Sequence, residues 1–253
     1  RWLELRTWFN PNVSPANLYP TAVEELLQPS FVRKEFFLSI LRRSLEPSVG
    51  YERLVSLMAK RSLTTVLTTN FDDLIARTVK GARSVGHCVE IKTPSDYSMF
   101  DTASGVPQVI YLHGSVDHYT DKNLVNETQK LDDDLVELLR PLLRDHPLVV
   151  VGYRGAEPSV MHHLLLEQAV ICKNYRRGIY WCYRRGGDPL ADSPLLRELQ
   201  SQIQTNLQFV ERPHLPLAAV NPKRTRQVPD KTLDKVSTAH FDQGKQLSRL
   251  CGP

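Results

Sequence analysis

At Leu63 the rhythm of the chain changes. Short apolar runs begin to alternate with amphipathic stretches. The runs are LTTVLT (63–68), QVIYLHG (108–114), LVVVGY (148–153), GIYWCY (178–183) and LQFVE (207–211); helical patterns lie near 131–144, 158–171 and 194–204. A strand covered by helices on both faces reads as a continuous apolar run, because neither face meets water. Strands joined through helical crossovers pair in parallel. The rhythm predicts an α/β fold built on a doubly wound, Rossmann-like parallel sheet.

Upstream, residues 1–62 read as helices punctuated by Pro20, Pro29 and Pro47, since proline cannot continue a helix interior. Ser30 suits the N-cap of FVRKEFFLSILRRSL, and YERLVSLMAK sets Leu54, Leu57 and Met58 on one face. These stripes read as core packing. Beyond Pro213, HLPLAAVNPKRTRQVPDK has the proline-rich, basic composition of a linker. The expected organisation is a catalytic domain over 1–212 and a basic tail over 213–253.

In open parallel sheets, ligands bind outside the carboxyl ends of the strands. Three such ends carry polar or glycine-bearing turns: Thr69-Asn70-Phe71-Asp72-Asp73, His113-Gly114-Ser115 and Gly152-Tyr153-Arg154-Gly155-Ala156-Glu157. Asn70 and Asp72 equally suit the capping of the helix LIARTV. His113 also suits a packed core, and Gly152 and Gly155 suit plain turn geometry. Their shared placement at one sheet edge favours a ligand site.

Charge and cysteine content narrow the alternatives. The net charge is +4, and from Arg212 onward eight Lys/Arg face three Asp, so the basic character belongs to the tail. That balance suits a solvated linker better than a nucleic-acid arm. Cys88, Cys172, Cys182 and Cys251 form no C-x-x-C pair, so a four-thiolate zinc ribbon is not expected. So few cysteines suit a reducing cytoplasm. No uncharged apolar stretch approaches the roughly 18 residues of a membrane helix. His162 and His163 are adjacent, so on a helix their rings diverge and suit one metal poorly. Asp132-Asp133-Asp134 sits at a helix start, where the helix dipole favours negative charge. No metal site is expected.

TTNFDDLIA, then YLHG, then VVVGYRGAEPSVM resembles the sirtuin-like NAD-consuming domain over roughly residues 20 to 212, and more narrowly its zinc-free bacterial branch in anti-phage defence. The resemblance implies that Asn70 lies against the nicotinamide ribose and positions the attacking group. It implies that Asp72 contacts the carboxamide region and that His113 acts as general base. Gly152 and Tyr153 would approach ribose and phosphates, with Thr69, Phe71 and Gly114 lining the same ligand. Arg154 stands where a small hydroxyl residue is expected, and its guanidinium suits phosphate. The family's first strand and Gly-Ala-Gly phosphate loop are not found in this sequence, and Arg1 is expected to lie after them.

Without a zinc ribbon to build an acyl-lysine groove, the resemblance implies NAD hydrolysis rather than protein deacylation. It further implies a cytoplasmic effector that depletes NAD, as a homo-oligomer or under a partner sensor domain. Two other readings compete. One is a catalytically silent module that binds NAD or ADP-ribose as a signal; the other is a nucleic-acid-associated scaffold using the basic tail. Retention of both Asn70 and His113 favours the enzyme, since binding alone needs neither base nor amide.

Overall fold

The computed structural model describes residues 22–41 (except 24 and 28), 46–115, 130–191, 193–203 and 206–212. The tail expected over 213–253, like residues 1–21, lies outside them. The described residues fall into two compact units, one within 27–122 and 130–142, the other within 1–26 and 143–253.

The first unit is organised on a three-stranded parallel sheet of order β1-β3-β2: β1 (Thr65–Thr68), β2 (Val89–Ile91) and β3 (Gln108–Tyr111). Helices α1 (Ser30–Leu41) and α2 (Val49–Ala59) precede it, and α3 (Leu74–Gly81) follows β1. The central strand β3 is buried at every position, as its unbroken apolar run predicts. Its one polar residue is satisfied: Gln108 Oε1 accepts the Asp101 N–H at 2.9 Å and its Nε2 donates to the Asp101 carbonyl at 2.6 Å. Val55, Met58, Ile75, Val79, Val109 and Tyr111 form the core cluster, with Tyr51 and Leu54 packed on it. Burying each such side chain stabilises by about 1.5–3 kcal/mol. The apolar face of α2 differs by a rotation from the sequence expectation. Val55 and Met58 are buried while Leu57 is 47% exposed.

The second unit holds a parallel sheet of order β4-β5-β6: β4 (Leu148–Val151), β5 (Ile179–Arg184) and β6 (Leu207–Arg212). Helix α4 (Asp133–Asp145) lies mostly in the first unit, which holds residues 130–142, and Asp132 Oδ1 caps it by accepting the Leu135 N–H at 3.1 Å. The predicted helix over 158–171 is a π-helical stretch, Ser159–Leu166, running into the short α5 (Glu167–Val170). Helix α6 (Pro194–Ile203) completes the unit. Tyr175 is fully buried and ties two elements together. Its hydroxyl donates to the Leu164 carbonyl at 2.7 Å and its N–H to the Leu143 carbonyl at 2.8 Å. Ile179 and Trp181 of β5 point into the core, whereas Val149 and Val151 of β4 remain 56% exposed.

Parallel sheets with flanking helices in both units give the α/β, Rossmann-like architecture the sequence predicts. Among the described residues, five of the six strands match the apolar runs. The sixth, β2, carries only Val89, Glu90 and Ile91. Glu90 is bridged by Lys80 at 3.0 Å and Lys92 at 2.8 Å. Burial opposes its charge, but the two lysines outweigh burial and hold the carboxyl below its usual value. A short, charged edge strand resists further pairing, which is why it lacks an apolar signature.

Candidate functional site

In the first unit, β1 and β3 are adjacent and parallel, with Thr68 opposite Tyr111. Asn70 lies two residues beyond Thr68 and His113 two residues beyond Tyr111, so both sit at the same carboxyl edge. The Leu112 N–H still reaches the Thr68 carbonyl at 2.9 Å, carrying the pairing one step past the strands. Neighbouring strands lie about 4.8 Å apart, which sets the scale of this edge. His113, Gly114 and Ser115 are buried; Thr69, Asn70, Phe71 and Asp72 are half-buried.

The loop from Thr69 to Asp73 is held along its length. Thr68 Oγ1 accepts the Asn70 N–H at 3.1 Å, and Asp72 Oδ1 accepts the Leu74 N–H at 3.0 Å. Asp73 pairs with Arg77 at 2.9 Å. The Phe71 ring meets Phe37 of α1 with centroids 6.4 Å apart. Helix support and site placement therefore coexist: Asp72, one residue before the Asp73 N-cap, accepts the first N–H of α3 while standing two residues from Asn70.

Tyr51, at the start of α2, joins this group, and the sequence expectation had missed it. Burial first, then the Asp72 charge, push its phenol up to about 12, and the Asn70 side chain acts the other way. Two more hydroxyls nearby in sequence and sheet, Tyr111 Oη and Ser115 Oγ, are shut off from solvent without a hydrogen-bond partner. Unmet buried hydroxyls are uncommon, and at a sheet's carboxyl edge they suit a ligand or water.

The turn after β4, in the second unit, is equally constrained. Gly152 and Gly155 adopt φ of +73° and +75°. A Cβ on Gly155 would stand 3.1 Å from Ser193 Oγ, 3.2 Å from Trp181 and 3.3 Å from Met161. The Ser193 hydroxyl donates to the Gly155 carbonyl and accepts the Leu196 N–H at 3.1 Å, fastening the turn to α6. The Tyr153 ring meets Trp181 at 5.8 Å, and its hydroxyl is buried beside Glu157. Tyr153 Oη and Glu157 Oε2 interact without aligning as a good hydrogen bond, and each lacks another partner. Burial raises the Glu157 carboxyl; Tyr153 and Arg154 only partly oppose it. Tyr153 thus anchors the turn from within, whereas Arg154 is exposed. The π-helix begins two residues after Glu157, and π-helical turns concentrate at functional sites.

Among the described residues, no group of three or more His, Cys, Asp and Glu is arranged to hold a metal. His162 reaches Glu198 of α6 at 3.2 Å while His163 is buried, so the two rings part as expected. Cys88, Cys172 and Cys182 are free thiols. No described helix is long and apolar enough to cross a membrane. A family model, that of the SIR2-like domain, matches residues 64–206, a span holding β1 to β5, α6 and every strand end considered above. No curated protein matches the chain at a significant level.

Proposed function

The chain belongs to the SIR2-like domain family, and on that premise we propose that it cleaves NAD at the bond between nicotinamide and ribose, releasing nicotinamide and ADP-ribose. The observation that carries this reading is the matched placement of Asn70 and His113 at the ends of β1 and β3. Breaking the glycosidic bond develops oxocarbenium character on the ribose. A neutral amide at Asn70 orients water beside that carbon without adding a competing charge. Water forms the new carbon–oxygen bond as the carbon–nitrogen bond breaks. The bonding electrons leave with nicotinamide, which departs neutral. The proton lost by water passes to the imidazole of His113, a group suited to proton transfer near neutral pH.

Around this centre, Thr69, Phe71 and Gly114 line the nicotinamide ribose, and Asp72 addresses the carboxamide. In the second unit, taken by itself, the positive φ of Gly152 suits close approach of backbone to a ligand, Tyr153 anchors that turn, and the exposed Arg154 guanidinium suits a phosphate. The resemblance to defence effectors extends the proposal to a homo-oligomer, or a chain under a sensor partner, that depletes NAD during infection. Titration calorimetry with NAD, followed by chromatography of the products, tests the core of the reading. Binding together with nicotinamide release supports it; binding without release assigns the domain to signal recognition instead. For the defence role, NAD content is compared after infection in cells carrying the wild-type chain or His113→Ala. A fall confined to the wild type is the expected result.

A further inference from the structure

The sheet of the second unit is bare on one face. Its register sets Val149, Tyr180 and Gln208 in one row and Val151, Cys182 and Val210 in the next. Alternation along each strand puts both rows on the same side. The opposite side is filled, with Ile179, Trp181 and Leu207 buried. On the bare side Val149 and Val151 are each 56% exposed and Val210 40%, while Tyr180 and Cys182 are half-buried. Neither row carries a charged residue. All-parallel sheets occur almost only with both faces covered, so this uncharged apolar face calls for a cover.

The size of the face decides what covers it. Three strands about 4.8 Å apart, with four residues of about 3.3 Å each, mark out on the order of 200 Å². A stable complex buries about 800 Å² on each partner, so this face alone is too small for a free protein or a second copy. A tethered segment of the same chain escapes most of the entropy cost of association and meets no such threshold. Residues 1–21 supply one. Trp2, Leu5, Trp8 and Phe9 recur at helical spacing, with Glu4, Arg6, Thr7 and Asn10 turned away; Leu3 falls outside the stripe. The segment ends at Ala22 and Val23, which are buried and belong to the same compact unit as the sheet. Residues 10–21 reach up to roughly 40 Å when extended, enough to cross the face. The tail after Arg212 suits the task less, because Pro213, Pro216, Pro222 and Pro229 deny its first stretch a helical stripe. We propose that residues 2–9 form an amphipathic helix whose Trp2, Leu5, Trp8 and Phe9 stripe covers the bare face of β4, β5 and β6. Because Val151 leads directly into Gly152, this cover also steadies the turn at the carboxyl end of β4.

Cys182, a free thiol at the centre of the face, reports on the cover. The full chain carrying Leu5→Cys, oxidised with copper phenanthroline, is expected to form a disulfide to Cys182 within one molecule, read as a linked peptide pair by mass spectrometry. Thr7→Cys, on the polar side of the helix, is expected to link at least about tenfold less. No link from Leu5→Cys, or equal links from both positions, overturns the proposal. So does Cys182 joined to Cys251, which makes the tail the cover, or to Cys182 of a second copy. Maleimide alkylation of Cys182 gives a second reading without an introduced thiol. Leu5→Ser combined with Trp8→Ser, in a chain confirmed to be folded by circular dichroism, is expected to speed that alkylation by about tenfold. An unchanged rate overturns the proposal. Neither readout depends on nicotinamide release, so this inference and the cleavage reading stand or fall separately.

Discussion

Asn70 and His113 stand at the same level of one sheet edge, each two residues past an opposed pair, Thr68 and Tyr111, on adjacent parallel strands. The main-chain bond from Leu112 to Thr68 continues the ladder toward them, so their spacing is a property of the sheet rather than of two independent loops. Thr68 also contributes its hydroxyl to the Asn70 N–H. Thr68→Val keeps the buried shape and removes that acceptor. We expect a loss of about 1–3 kcal/mol in denaturant unfolding from the orphaned donor, together with reduced NAD turnover. Unaltered turnover in a destabilised but folded variant would separate the hydroxyl from the site.

Asp72 serves two purposes that substitution can separate. Its Oδ1 accepts the Leu74 N–H, so Asp72→Ala should cost about 0.5–1.5 kcal/mol as a lost hydrogen bond at the start of α3. Asp72→Asn retains an acceptor and should melt within about 2 °C of the wild type, while changing affinity for NAD through the carboxamide contact. Melting curves and NAD titrations on both variants check the two roles.

Gly155 is confined from three sides and sits at φ +75°. Gly155→Ala must displace Ser193, Trp181 or Met161 and also strain the backbone, so a loss above about 1–2 kcal/mol is expected. Ser193→Ala, by contrast, relieves the closest contact but frees the Gly155 carbonyl and the Leu196 N–H. Destabilisation by both single variants, measured by thermal unfolding, would show that the turn is held by fit and hydrogen bonding together.

Glu157 gives a pH dependence with a definite sign. Its folded-state carboxyl titrates above the ordinary value of 4.5, because burial disfavours the charge and Tyr153 and Arg154 compensate only in part. The neutral acid is thus the form the fold favours. Its contribution is present in full below the unfolded value and is lost as pH rises through the higher folded one. Glu157→Gln, neutral throughout, should raise the melting temperature relative to wild type at pH 8. That difference should shrink toward pH 4, by about 2–4 °C for each kcal/mol involved. A difference that does not vary with pH would contradict the assignment.

Much of this was legible before any coordinates. Buried parallel strands announce themselves as apolar runs, so β1, β3, β4, β5 and β6 emerged within a few residues of their bounds. Strand ends then directed attention to Asn70 and His113. Strand β2 escaped because its middle residue is a glutamate neutralised by Lys80 and Lys92, a compensation that only folding reveals. Tyr51 escaped because its ring belongs to the core stripe of α2, and periodicity says nothing about where a hydroxyl points. The stripe itself was set one residue off at Leu57, since Leu and Val differ little in a periodic count. The π-helical form of Ser159–Leu166 was likewise invisible, because apolar spacing predicts a helix there without fixing its hydrogen-bond pattern.

The central claim is that Asn70 and His113 together cleave NAD. Its most direct test is chromatography of nicotinamide and ADP-ribose released by the complete natural protein, beside Asn70→Ala and His113→Ala variants confirmed to be folded. Release by the wild type that falls by about 10²–10⁴-fold in His113→Ala, and to a comparable extent in Asn70→Ala, is the predicted result. Undiminished release from either folded variant would contradict it.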